Sequence, residues 1–422
     1  MSIYKKLISL VFLGFVFSGC TKINEGVETS FTEDACLVEN KLPIKQGNRY
    51  KVNFLMETSG SMSGFMSKNG TEFQKDVWGL VSLLDGNYQS DFSLFHIQAK
   101  GELIKRTVIA DFRNNLNVGT FTSATSTDIP EILDSILLKT NQTNVSVFVS
   151  DLIFSPSSGG KASLLQISSD IYKRFANKKF ASVIYQLKSK FYNSKSKLLS
   201  GDSPYYVWII GPEEGVKTVS LKLKSGLPAD YNEIDFGITH DQPAYTILPH
   251  IDDASNAIAT RCENKELYYS YSEFIDSQTS KITLNVGVNL DELSKNERNV
   301  SSLLNNFYIE PSDAKIKLKS ITVLPTMKNI EDQGLAKKIS ATHLIKLEVD
   351  QIYNDFALLQ INFKSKRPDW ITDSNLDIDD YHRAKTPGLT KMIDGLEKAY
   401  SKSSADLLYN TSFKLLITKN KL

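Results

Sequence analysis

Residues 50–62 read Y-K-V-N-F-L-M-E-T-S-G-S-M. An apolar, β-like run from Tyr50 to Met56 delivers Glu57, Ser59 and Ser61 at every second position. Alternate residues of an extended chain point the same way, so one carboxylate and two hydroxyls are expected to converge past the end of a strand. Hard oxygen donors gathered at one point suit Mg²⁺ or Mn²⁺. Two later segments supply similar groups. Thr127 lies in S-T-D-I-P-E-I-L, just before a helical pattern, and Asp151 closes the apolar run V-S-V-F-V-S-D.

Working outward, strand-like and helix-like segments alternate from residue 50 to about 225. Thr71-Glu72-Phe73-Gln74 fits a capping box, and Phe73, Val77, Leu80, Val81 and Leu84 follow it at helical spacing. Residues 91–98 read as a strand, with 103–110 as an edge strand beside it. Ile129, Ile132, Leu133, Ile136 and Leu137 mark a second helix, and Leu164, Ile167, Ile171 and Phe175 a third. Residues 145–149, 180–187 and 205–210 are further strands, the last followed by a helix through Val219. This alternation predicts an α/β fold with a mostly parallel sheet flanked by helices. Ligands of such sheets bind at the carboxyl ends of strands, where Glu57 and Asp151 both fall.

Motif and topology together resemble the von Willebrand factor A-type (vWA) domain, a Rossmann-like fold with a metal-ion-dependent adhesion site. The resemblance covers about residues 48–225. It implies that Glu57, Ser59, Ser61, Thr127 and Asp151 surround one Mg²⁺ or Mn²⁺, with a coordination position left for the acidic side chain of a protein partner. Where the family's first loop reads Asp-x-Ser-x-Ser, this chain has Glu57. The added methylene moves the carboxylate by roughly 1.5 Å at full extension. Residues 63–70, between this loop and its helix, form a candidate partner loop through Phe65 and Met66.

The amino terminus carries an address. Lys5 and Lys6 precede an apolar run at 7–17, too short to span a bilayer comfortably, followed by Ser18-Gly19-Cys20. This pattern describes a secretory signal, and a Cys after Ser-Gly resembles the bacterial lipoprotein cleavage box. Residues 1–19 are therefore read as a signal peptide and Cys20 as the acylated anchor to a membrane, the outer membrane of the cell envelope being favoured. Residues 20–47 are a polar tether. Cys36 and Cys262 are a candidate disulfide, since exported proteins keep such bonds. Two lysines leave with the signal, so the formal net charge passes from +1 to −1. Charges so balanced give no reason to expect nucleic acid as a partner.

Residues 226–422 change character. Ile282, Leu284, Val286, Val288 and Leu290 alternate strictly, further alternating runs follow, and Leu389, Met392, Ile393, Leu396, Ala399 and Tyr400 mark one amphipathic helix near the end. An antiparallel β-rich domain, a sandwich, with a C-terminal helix is expected. The acidic run Asp373, Asp377, Asp379 and Asp380 lacks EF-hand spacing, and the five histidines show no metal or triad spacing. Gly60-Ser61-Met62-Ser63-Gly64 puts Met62 where a nucleophile elbow needs its serine, which makes a serine hydrolase the weakest of three readings. The leading one is a non-enzymatic binding or adhesion module that recruits an acidic side chain of an envelope or extracellular protein. The second is a metal-free vWA scaffold that presents the β-rich domain.

Overall fold

A computed structural model describes residues 50–67, 70–97, 104–121, 129–153, 161–240, 242–251, 257–261, 269–273, 282–310, 313–354, 356–364, 366–376, 383–401 and 410–419. The signal segment, the tether, Cys20, Cys36, Cys262, Thr127 and most of the acidic run lie outside these residues.

The first half is built on a seven-stranded sheet: β1 (Lys51–Glu57), β2 (Phe92–Ile97), β3 (Ile104–Thr107), β4 (Asn144–Ser150), β5 (Ala181–Tyr192), β6 (Leu198–Gly211) and β7 (Asn232–Phe236), in the order β3-β2-β1-β4-β6-β5-β7. β1 pairs in parallel with both β2 and β4. The other pairs, β2–β3, β4–β6, β6–β5 and β5–β7, are antiparallel. The sheet is therefore mixed, which corrects the expectation of a mostly parallel one. The cause is the connection after β5. Both strands run far beyond their apolar centres and meet at a tight turn, where Asn193 N–H donates to the Lys197 carbonyl and Ser196 takes φ 57°. A short hairpin joins only antiparallel neighbours.

Ten helices follow in chain order among the described residues: α1 (Ser63–Met66), α2 (Glu72–Tyr88), α3 (Ile109–Val118), α4 (Ile129–Lys139), α5 (Lys161–Phe175), α6 (Glu213–Lys224), α7 (Val300–Asn306), α8 (Ile330–Lys338), α9 (Asp369–Asp373) and α10 (Leu389–Ser401). The capping box is formed: the Thr71 side chain accepts from Gln74 N–H, and the Gln74 side chain accepts from Thr71 N–H. α2, α3 and α6 cover one face, where Phe73, Val77 and Leu80 meet Val52, Phe54, Val147 and Val207. On the other face α4 and α5 are joined by α9 and α10, so that Leu133 and Ile171 share a core with Trp370, Ile393 and Leu396. Both faces of β1 and β4 are thus buried, as their nearly unbroken apolar sequences require. No described helix is long and apolar enough to cross a membrane.

The second half packs two sheets face to face. One runs β13 (Ala314–Val323), β14 (His343–Ile352), β11 (Ile282–Val288), β8 (Tyr245–Ile247). The other runs β12 (Phe307–Ile309), β15 (Phe356–Lys364), β18 (Asn410–Lys419), β10 (Tyr269–Glu273), β9 (Ala257–Arg261). Leu284, Val286 and Leu347 from the first share a core with Leu359, Ile361, Phe413 and Leu415 from the second. This is the sandwich that the alternation predicted; its pairing is antiparallel apart from β10 with β18. A two-stranded ribbon of β16 (Asn375–Leu376) and β17 (Thr386–Pro387) leads into α10. The C-terminal helix leaves the sandwich and seals the first sheet. β7, beyond the boundary drawn at residue 225, is likewise a strand of that sheet.

Candidate functional site

The site lies where β1, β2 and β4 end together. In the parallel register Met56 stands beside Val149, and Glu57 beside Ile97. Leu55 and Phe148 belong to the same face of the sheet, so Glu57 and Ser150, each two residues on, share a face as well. The Ser150 hydroxyl donates to Glu57 Oε2. Its oxygen also accepts Leu152 N–H at 2.8 Å. Glu57 is 1 % exposed, yet it is anchored by a hydroxyl from the neighbouring strand.

The chain after β1 is pinned at its first residue, since the Thr58 N–H and hydroxyl both donate to the Ile97 carbonyl, at 3.3 and 2.6 Å. It then turns tightly, with Met62 N–H donating to Ser59 O and Ser63 N–H to Gly60 O. The Ser59 and Ser61 hydroxyl oxygens come within 2.9 Å of each other. The two serines thus meet across a tight turn and not along the extended chain that the every-second-residue reading assumed, while Glu57 meets the Ser150 hydroxyl.

Asp151 is 2 % exposed. Its Oδ1 accepts Ile153 N–H at 3.1 Å, while Oδ2 is buried and has no hydrogen-bond partner. Burial pushes this carboxyl above the usual carboxylate range; the Ile153 N–H, the nearby Ser61 hydroxyl and the Arg383 guanidinium oppose the rise without cancelling it. Leu152, the next residue, has φ 53°. A non-glycine residue in the left-handed region is strained, and such strain gathers at functional sites.

Ser59, Ser61 and Asp151 therefore form one cluster, and Glu57 with Ser150 a second, joined through the peptide between Ser150 and Asp151. A buried carboxylate oxygen without a partner beside two hydroxyls fits an oxygen-seeking divalent cation. Among the described residues no group of three or more His, Cys, Asp or Glu side chains is placed to hold a metal, so hydroxyls would have to complete the set. Thr127, expected as a further ligand, lies outside the described residues.

Phe65 and Met66 do not form a partner loop. They are 1 % and 3 % exposed. Phe65 stacks on Phe73 with centroids 5.2 Å apart and meets Phe191 and Tyr205 edge-on at 4.9 and 5.8 Å. The helix α1 turns these side chains into the core, where burying such large apolar groups is worth about 1.5–3 kcal/mol each. Among the described residues of 63–70, Ser63 and Gly70 are exposed.

Sequence reasoning missed Ser150, Phe191 and Arg383. Ser150 stood in plain view within V-S-V-F-V-S-D, one residue before the carboxylate. Nothing local marked Arg383, which enters from the segment leading into β17. No protein-family model, no curated protein and no solved structure matches the chain.

Proposed function

We propose that the protein is a membrane-anchored lipoprotein whose vWA-like half binds a protein partner through a divalent cation. Glu57, Ser59, Ser61 and Asp151, with Thr127, would hold Mg²⁺ or Mn²⁺, and an acidic side chain of an envelope or extracellular protein would complete its coordination. The observation that carries this reading is the Asp151 carboxylate, buried at the end of β4 with one oxygen unpartnered beside the Ser59–Ser61 hydroxyl pair. An ionised carboxylate taken out of water needs a partner, and a cation meets that need while the hydroxyls fill its remaining positions. The parallel run β2-β1-β4, with helices on both faces and the cluster at its carboxyl end, supports the vWA-like assignment.

A second reading, the metal-free scaffold, has its own support. The Arg383 guanidinium already acts on Asp151 as a positive charge supplied by the protein. Thermal unfolding in EDTA and in millimolar Mg²⁺ or Mn²⁺ separates the two. A ligand at 100 times its dissociation constant adds about 2.7 kcal/mol, roughly 3 °C for a chain of this size melting as one unit. We expect that shift in the wild type and its loss in Asp151→Ala. No shift in the wild type rejects the cation site and leaves the scaffold. For the anchor, Cys20→Ser should move the protein from the membrane fraction to the soluble one.

A further inference from the structure

The rim holds a cation of its own, on a residue that no motif predicts. Arg383 is half-buried, and its guanidinium carbon sits 4.5 Å from the centroid of the Phe191 ring. Phe191 lies at the far end of β5, edge-on to Phe65 and under Gly64, so the arginine's platform packs against α1, the helix that follows the loop carrying Ser59 and Ser61. The segment after Arg383 is tied to the same rim. The Thr386 and Tyr206 hydroxyls lie 3.0 Å apart, and Tyr206 is the residue opposite Ser150 in the β4–β6 register. Thr386 N–H also donates to Ser374 O at 2.8 Å, within the β16–β17 ribbon.

Among the described residues the arginine, although its charge acts on Asp151, is bound to no carboxylate. Arg174, Arg298 and Arg367 each hold a carboxylate. Arg383, among the described residues, makes neither a hydrogen bond nor an ion pair, and its only direct contact of this kind is with the Phe191 ring. A guanidinium stacked on an aromatic ring keeps its donor edge free and pre-oriented, and that edge matches a carboxylate in a two-bond fork.

We propose that Arg383 is the carboxylate-receiving residue of this rim, gripping the acidic side chain of the protein partner beside the cation held by the Asp151 cluster. This rests on the metal reading, and it adds a reason for metal dependence. With Glu57 and Asp151 ionised, two carboxylates and one guanidinium leave the rim one unit negative, which repels an incoming acid. A divalent cation turns it one unit positive. Charge of the right sign sets both the encounter rate and the choice of partner. Arg383 then supplies the directional bonds that a bare ion lacks.

The test uses a fluorescein-labelled hexaglutamate peptide, read by fluorescence anisotropy with the intact protein in Mn²⁺ and in EDTA, beside thermal unfolding of each variant in both conditions. The expected result is peptide binding in Mn²⁺ that falls in EDTA. It should weaken at least tenfold in Arg383→Ala, about 1.4 kcal/mol, and recover in part in Arg383→Lys, which restores charge without the fork. The Mn²⁺-dependent thermal shift should survive in Arg383→Ala, which shows that the variant is folded and loaded. Equal peptide affinity in wild type and Arg383→Ala overturns the inference. So does a Mn²⁺ thermal shift with no peptide binding; in either case the metal reading is decided by the wild type's Mn²⁺ thermal shift alone. Peptide binding that depends on Arg383 in EDTA, with no thermal shift, rejects the metal and keeps Arg383 as the receptor.

Discussion

Single residues set the tolerances of the rim. A side chain at Gly64 would run into the Phe191 ring, which is itself held against Phe65 and carries Arg383. Gly64→Ala should therefore destabilise the fold by about 1–3 kcal/mol, the usual cost of overpacking, measurable as a lower urea midpoint. His343 sets a different limit. It is 5 % exposed on β14, with Nε2 3.0 Å from the Arg298 carbonyl and Nδ1 2.9 Å from the Thr342 hydroxyl. The neutral ring donates from Nε2 to the carbonyl and accepts at Nδ1. Burial holds its pKa below the ordinary imidazole value; the Arg298 carbonyl and Asp291 pull upward, and the Arg298 charge pushes further down. The folded protein then binds fewer protons here than the unfolded chain, so the contribution is whole above about pH 6.5 and is lost as pH falls below it. The stability difference between wild type and His343→Gln should shrink from about pH 7.5 to about pH 5; a constant difference would refute this account.

At the scale of elements, the packing of α10 on α5 depends on the absence of a side chain. A Cβ at Gly395 would meet the Ser168 carbonyl at 2.6 Å and Ile171 Cβ at 2.8 Å. Gly395→Ala must push the two helices apart, and we expect a loss of about 1–3 kcal/mol in denaturant unfolding, with α10 the first segment to lose amide-exchange protection. The elements that the sequence made legible are those whose signals are local and dense. α2 has both a full capping box and a five-residue apolar stripe, and β1 and β4 are nearly continuous apolar runs bounded by polar residues. α3 was hidden, the edge strand read over 103–110 overlapping only its first two residues, because only Phe112 and Leu116 anchor it and two positions make no period. The site divides in the same way. Glu57, Ser59, Ser61 and Asp151 could be found because each follows an apolar strand, and Thr127 lies outside the described residues. Phe65 and Met66 were misread as exposed because glycine and serine surround them, although four residues of helix suffice to turn both inward. Arg383 could not be found, since its nearness to Asp151 is created by the path of the whole chain.

The molecule as a whole is interleaved. The face of the first sheet that α4 and α5 begin to cover is finished by α9 and α10, which come after nearly all of the sandwich, and its edge is finished by β7. A fragment ending at residue 225 would leave Phe148, Trp208 and Ile171 without Ile393, Leu396 and Tyr400 above them. We expect that fragment to bind the dye ANS and to melt without a cooperative transition, while the intact chain does neither; a sharp melt of the fragment would show that the first sheet stands alone. The same arrangement has a consequence in time. β4 is complete at Ser150, and α10 begins at Leu389. At roughly 5–20 residues per second, a ribosome would need roughly 12–48 s to cross that interval. Throughout it the nascent sheet would offer an oily face that α4 and α5 cover only in part, a target for chaperones and for neighbouring nascent chains.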